Sequence, residues 1–196
     1  MKDTFDTSGT ALLLELAHAF NRNGWTPANM KWLTEGDRLK SMLPLVLGTG
    51  QINIVKHVID LDADPHLPND WKVEEHKKGG QFEWDPAKVK FHLSKSQTDG
   101  KSIEGNKLRK ELANEPVFNA NLLDYLLKNP LLIPDEWKKD EQGNTRYIFF
   151  WGTIYRNSGG GLCVRCLCWD GDEWVWDFYW LGLGWDASDP AASLAK

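Results

Sequence analysis

Two turn signals set between aromatic runs constrain this chain more than any other feature. The run LCVRCLCWDGDEWVWDFYWLGLGWD, Leu162 to Asp186, holds five of the eleven tryptophans. It reads as two strands, Leu162 to Trp169 and Trp174 to Leu181, joined by DGDE, and NSGGG joins the first of them to RYIFFWGTIYR upstream, Arg146 to Arg156. Both linkers have hairpin length and composition, so an antiparallel meander is expected. Side chains alternate between faces. Odd positions of the second strand therefore share a face with even positions of the third, whichever residues centre the turn.

One predicted face carries Tyr147, Phe149, Trp151, Thr153 and Tyr155, then Cys163, Arg165, Leu167 and Trp169, then Trp174, Trp176, Phe178 and Trp180. The opposite face, with Ile148, Phe150, Ile154, Val164, Cys166, Val175 and Leu181, reads as an aliphatic core face. Were each aromatic ring of the first face to expose ~100 Å², the patch would approach ~900 Å², beyond the ~300 to 600 Å² usual for a monomer. Most of it must be covered. The helices around Leu108 to Leu112 and Leu122 to Leu127 are the expected lids, with the segment bearing Trp185 folded over an edge. Trp151 and Trp176 are expected to be buried, while Trp169, Trp174 and Trp180, near the strand ends, keep an exposed edge. Arg165, mid-strand on the aromatic face, either stacks on rings as a structural cation–π contact or holds an anionic or planar ligand group.

At 196 residues the chain suits one domain, or one domain with a small helical piece. Hydrophobic residues make up 41% and charged residues 26%, which places it among ordinary globular proteins. A net charge of −5 supplies no basic field for phosphates and disfavours nucleic acid as a partner. The apolar run Ala11 to Leu16 follows Asp3 and Asp6 and is interrupted by Glu15, a poor signal peptide, and no window approaches the ~18 apolar residues of a membrane span. Three clustered cysteines, Cys163, Cys166 and Cys168, suit a reducing compartment, so the expected location is cytoplasmic, with no membrane partner.

Punctuation divides the rest. Residues 1–50 read as a helical region: Ser8 caps a helix bearing Leu12, Leu13, Leu16 and Phe20, Thr26 before Pro27 caps a second, and Asp37 caps a third that Pro44 kinks or shortens. Three short helices invite a helix-turn-helix reading, but acidic residues offset Arg22, Lys31, Arg38 and Lys40. Residues 51–196 read as an α+β domain. QINIVKHVIDL and KVKFHLS are expected strands, and WKVEEHKKGGQFEW is an expected hairpin turning at KKGG with Val73 and Glu75 on one face. Asn106 caps KLRKELAN, Asn119 or Asn121 starts LLDYLLKN, and Pro134 opens a last helical turn. The fold class is α+β: a small helical N-terminal region, a mixed middle segment, and two helices packed on a C-terminal antiparallel sheet of three or more strands, rich in tryptophan.

The runs KHVIDLDADP, WKVEEHKKGG, EWDPAKVKFHLS, PVFNANLLDYLL, IPDEWK, FFWGTIYR and SDPAASLA, in this order, resemble a family of hypothetical proteins common in uncultivated bacteria. The resemblance spans Trp25 to the C-terminus. It implies a bacterial source and that these segments form one unit, and it implies no activity.

Catalytic and metal signatures are weak. In CVRCLC, alternation puts Cys166 and Cys168 on one face and Cys163 on the other, which suits core cysteines rather than zinc ligands. HVIDLDADPHLPND spaces Asp60, Asp62 and Asp64 like a calcium loop, but Pro65 stands at the glycine position and Trp71 where the bidentate glutamate belongs. An acidic, solvated turn is the expectation; the alternative is a metal-assisted hydrolase or nuclease using Asp60, Asp62, Asp64 and His66. The chain has no GxSxG, Walker, GxGxxG or HExxH motif, and no cofactor is expected. The preferred reading is a non-catalytic binding protein whose aromatic sheet, or its rim, takes a protein, peptide or small ligand through Arg165, Trp169, Trp174, Trp180 and Tyr155.

Overall fold

The computed structural model describes residues 9–51, 55–68 and 70–195, with side chains from residue 13 onward. The expected Ser8 cap, the side chain of Leu12 and the 52–54 start of the QINIVKHVIDL strand lie outside the described residues. The chain divides into two compact units, Met1–Val55 and Lys56–Lys196.

The first unit holds three helices, α1 (Gly9–Arg22), α2 (Pro27–Thr34) and α3 (Arg38–Val46). Gly24, at φ +78°, turns the chain after α1 so that the Trp25 N–H donates to the Phe20 carbonyl (3.0 Å). Thr26 caps α2 through a capping box with Asn29. Asp37, expected to cap α3, makes no side-chain cap bond. Pro44 sits in the last turn of α3, and its carbonyl accepts from Thr49 and Gly50 as the helix closes.

The second unit is built on a seven-stranded mixed sheet. Its strands are β2 (Lys72–His76), β4 (Val89–His92), β6 (Ile148–Phe149), β7 (Thr153–Arg156), β8 (Leu162–Trp169), β9 (Trp174–Trp180) and β11 (Ala191–Leu194). The order is β2-β7-β8-β6-β11-β4, and β9 pairs with β8. β1 (Val58–Asp60) pairs with β3 (Gln81–Glu83), and β5 (Ile103–Glu104) with β10 (Gly184–Trp185). The helices are α4 (Gly105–Glu111) and α5 (Ala120–Lys128). Asn119 caps α5, its Oδ1 accepting from the Asn121 N–H (3.1 Å). Asn106 does not cap α4, which begins at Gly105 without a side-chain cap. Its own N–H instead donates to the Leu181 carbonyl (3.2 Å).

The β8–β9 hairpin has the expected facing, with Cys163 opposite Trp180 and Trp169 opposite Trp174. The strand before it differs. Tyr155 pairs with Cys163, yet Ile148 pairs with Leu167, so the first strand spends three more residues than β8 over the same span. An odd insertion flips the pleat. Ile148 therefore joins Leu167 and Phe150 on the side covered by Leu122, Leu123 and Leu126 of α5, whereas Phe149 and Trp151 cross to the side of Val164, Cys166, Leu108 and Leu112. The two helices thus cover opposite faces. Trp185 folds back as expected, fully buried with its ring 4.6 Å from those of Phe149 and Trp151.

The KKGG segment is not a hairpin turn. β2 pairs with β7 and β3 with β1, because Asp62 Oδ1 accepts from the Gly79 and Gly80 N–H groups (2.9 and 2.8 Å) and the Lys77 N–H donates to the Gly152 carbonyl (2.7 Å). A bulge between Val73 and Glu75 also separates that pair: Val73 lies opposite Tyr155 and Glu75 opposite Ile154.

Around the strand break a buried polar network closes. Asn119 Nδ2 donates to the carbonyls of Leu61 (2.7 Å) and Lys77 (2.9 Å), and the Gly152 N–H donates to the Phe118 carbonyl (2.9 Å). Thr153 Oγ1 accepts from the Ala120 N–H (3.0 Å) and lies 2.9 Å from His76 Nδ1, whose Nε2 is 3.2 Å from the Leu61 carbonyl. A hydroxyl can donate as well as accept, so Thr153 links the α5 N-terminus to the His76 ring and the ring links it on to the Leu61 carbonyl.

Two predictions follow from this architecture. A Cβ at Gly152 would stand 2.8 Å from the backbone of Asn119, so Gly152→Ala should lower the unfolding free energy by about 1–3 kcal/mol. The matched change at Gly182, where a Cβ meets nothing, should be near neutral in the same urea titrations. Burial pushes the Asp189 carboxyl up to about 6. Its folded pKa then exceeds the unfolded value of about 3.9, the native state binds more protons between the two, and stability falls as pH rises from about 4 to 6. Asp189→Asn should flatten that slope and be at least as stable as the parent at pH 7, measured by denaturation across pH.

Candidate functional site

An unpaired strand edge is the most exposed feature of the aromatic sheet. The Leu181 N–H donates to the Leu162 carbonyl, and the Phe150 N–H donates to the Arg165 carbonyl. In an antiparallel ladder this parity turns the backbone groups of Val175, Asp177 and Tyr179 toward β8 and those of Trp174, Trp176, Phe178 and Trp180 away from it. Among the described residues the outward N–H and C=O of Trp176 have no partner. The Phe178 N–H is taken by the Asp177 carboxylate (2.8 Å), and the Trp180 carbonyl accepts from Trp185 Nε1 (3.2 Å).

The other two edges of this sheet are blunted. β2 carries Lys72, Glu74, Glu75 and a bulge, and β4 is four residues long with Lys90 in it. Such features discourage strand addition. β9 runs seven residues with four large aromatics on one face and Asp177 as its one charge.

Those aromatics form a linked row. Trp174 packs edge-on to Trp169 (5.4 Å) and against the α5 cluster. Trp176 and Phe178 meet Trp71 edge-on at 6.1 and 5.1 Å, and Trp180 meets Phe178 at 5.1 Å. Trp169, Trp174 and Trp180 are half-buried. Trp176, expected beneath a helix, is 38% exposed and the most open of the row. Trp151, by contrast, is buried as expected.

Arg165 and Tyr155, expected among the binding residues, lie behind this surface at 1% and 0% exposure. The Arg165 guanidinium makes a bidentate pair with Asp124 of α5, Nη2 to Oδ1 at 2.8 Å and Nη1 to Oδ2 at 3.2 Å. It also lies 4.4 Å from the Trp176 ring centre. The Tyr155 hydroxyl donates to the His66 carbonyl (3.1 Å), and burial pushes its phenol up to about 12. Sequence reasoning missed Trp71 and Asp124. Asp124 left a signal: a lone carboxylate among leucines must find a cation when its helix covers a sheet bearing a mid-strand arginine. Trp71 sits in an irregular segment and left none.

The three free cysteines of β8 are buried, and burial raises each thiol: Cys163 to about 12, Cys168 to about 11, and Cys166 well above its ordinary value. They are protonated packing groups at neutral pH. In the acidic stretch, Asp62 is not merely solvated, since it holds the Gly79 and Gly80 amides, while Asp60 Oδ1 accepts from the Asp62 N–H (2.9 Å). Asp60, Asp64 and His66 border a depression of about 320 Å³ beside Asp124. Among the described residues, no three His, Cys, Asp or Glu side chains come together as metal ligands. Asp170, Asp172 and Glu173 are exposed at the β8–β9 turn and Asp177 is exposed midway along β9, which gives this edge a negative charge.

Comparison with protein-family models, curated proteins and solved structures finds no match to the chain.

The Arg165–Asp124 pair makes a direct prediction. Arg165→Met or Asp124→Leu alone strands a buried charge and should cost about 3–5 kcal/mol, while the double variant should recover most of that loss. Denaturant midpoints of the three variants against the parent are the measurement.

Proposed function

We propose that the protein is a non-catalytic binding module that takes an extended, basic peptide segment as an added strand along β9. The observation that carries this reading is the contrast between edges: β2 and β4 are blunted, and β9 is long, aromatic and unpaired at Trp176. Strand addition supplies affinity through main-chain hydrogen bonds and specificity through alternate side chains. Aliphatic parts of the segment would pack on Trp174, Trp176 and Trp180. Lys or Arg side chains of the alternate positions would lie on the opposite face, beside Asp177 and within reach of the acids of the turn. In the free protein the Asp177 carboxylate occupies the Phe178 N–H, and an incoming cation would draw it off and open that position. Arg165 and Tyr155 then act from behind as positioning residues, holding Trp176 and the row beside it in place.

No helix among the described residues is long and apolar enough to cross a membrane. Three free thiols suit a reducing compartment, and the reading places the protein in the cytoplasm.

The test is an array of eight-residue peptides alternating Lys or Arg with Val, Ile or Thr, followed by tryptophan-fluorescence titration of the best binders. Micromolar binding is expected, weakened by more than ~1 kcal/mol in Trp176→Ala and Trp174→Ala and more strongly in Asp177→Lys, with each variant still cooperatively folded at the titration temperature. Tight binding retained in all three variants, or no binding by the parent, would overturn the reading. So would sedimentation showing a dimer that Asp177→Lys dissolves, which would assign the edge to a second copy of the chain.

A further inference from the structure

A second surface of the same unit has the opposite charge. Between β2 and α4 lies a cavity of about 610 Å³, the size of a small-molecule site. Its walls include Lys77, Arg109 and Lys110, three cations gathered in a chain whose net charge is −5. Glu75 is the one carboxylate among them, and Arg109 is engaged with it in an ion pair at the rim. Lys77 and Lys110 make no ion pair among the described residues, although Glu75 and Glu115 lie near enough to Lys77 to favour its charge. Lys77 Nζ donates to the carbonyls of Leu112 (2.9 Å) and Ala113 (2.8 Å) at the end of α4, which fixes the ammonium and leaves its third hydrogen for another acceptor.

The apolar part of the wall comes from Leu112, Ile154 and Trp151. Trp151 is 97% buried by its 3% exposure, and its Nε1 has no acceptor among the described residues. That Nε1 exposes essentially no surface, so the indole contributes its ring rather than its N–H to the wall. The ammonium groups of Lys77 and Lys110 are donors without an ion-pair partner, which an anionic ligand would supply and a neutral or cationic one would not.

We propose that this cavity binds a small organic anion, a carboxylate or phosphate ester on an apolar body. Its charged group is held by Lys77 and Lys110, and its body lies against Leu112, Ile154 and the Trp151 ring. The site is distinct from β9, so either can fail without the other.

The experiment is a ¹H–¹⁵N titration of the full chain with benzoate, phenyl phosphate and uncharged benzyl alcohol, following the Trp151 indole resonance assigned through Trp151→Phe. Saturable movement of that resonance, as the ligand packs on the ring, is expected with at least one anion at millimolar concentration or below, and none with the alcohol. Comparison of benzoate with phenyl phosphate identifies the preferred headgroup. Lys110→Glu, at an exposed position that leaves the fold intact, should weaken binding at least about fivefold, and Lys77→Met likewise. No saturable shift with either anion would overturn the proposal. Equal binding of the alcohol, or affinity unchanged in Lys110→Glu, would do the same.

Discussion

The Asn119 carboxamide holds together parts of the second unit that no backbone ladder joins. Its two Nδ2 hydrogens reach the Leu61 carbonyl after β1 and the Lys77 carbonyl after β2, and its Oδ1 caps α5. Beside it, Thr153 and His76 link the α5 N-terminus to β7 and β2, and Gly152 lets the Asn119 backbone approach the strand break. Asn119 at 2% exposure and Thr153 at 0% are buried polar groups, costly unless satisfied, and the bonds that satisfy them tie these segments together. The members of this network are spread from Leu61 to Thr153, which makes the fold dependent on distant parts of the chain meeting correctly.

The strand break that this network clamps decides how the aromatic load is distributed. Moving Phe149 and Trp151 to the α4 side fills the core under Trp185 and frees the α5 side for Arg165. A guanidinium there must be paired, and Asp124 pairs it from the facing helix. Its Nε is left without a partner, and its planar face lies under Trp176. Ring and cation stabilise one another at the boundary between core and edge, which lets a tryptophan keep a defined position while 38% exposed.

Two surfaces of opposite character therefore share one sheet. The β9 edge is aromatic and acidic and offers backbone hydrogen bonds. The cavity between β2 and α4 is basic and offers side-chain donors. Glu75 and Arg109 at the cavity rim, and Asp177 on the edge, keep local charge partly neutralised in the free protein. Under the two proposals ligands of opposite charge go to different places, and the net charge of −5 favours the approach of a basic one.

Local patterns were legible without coordinates. Thr26 with Pro27 started α2, Asn119 started α5, and the DGDE turn determined which residues of β8 and β9 face each other, because each rests on interactions within a few residues or on strict alternation. The half-buried state of Trp169, Trp174 and Trp180 followed from their places near strand ends. The KKGG segment misled because its glycines serve Asp62, fifteen or more residues away, rather than a turn between neighbours. Asp37 and Asn106 had capping chemistry, but Asp37 stands at the N-cap of α3 without a side-chain cap bond and Asn106 lies inside α4. By itself, then, the sequence determined an α+β chain with an aromatic antiparallel hairpin and helices to cover it. Only the tertiary structure decided which rings are core, that Arg165 belongs to Asp124, and that Trp176 lies open. Those outcomes hang on a three-residue strand break stabilised by contacts distant in sequence, and an odd insertion reverses every face assignment beyond it.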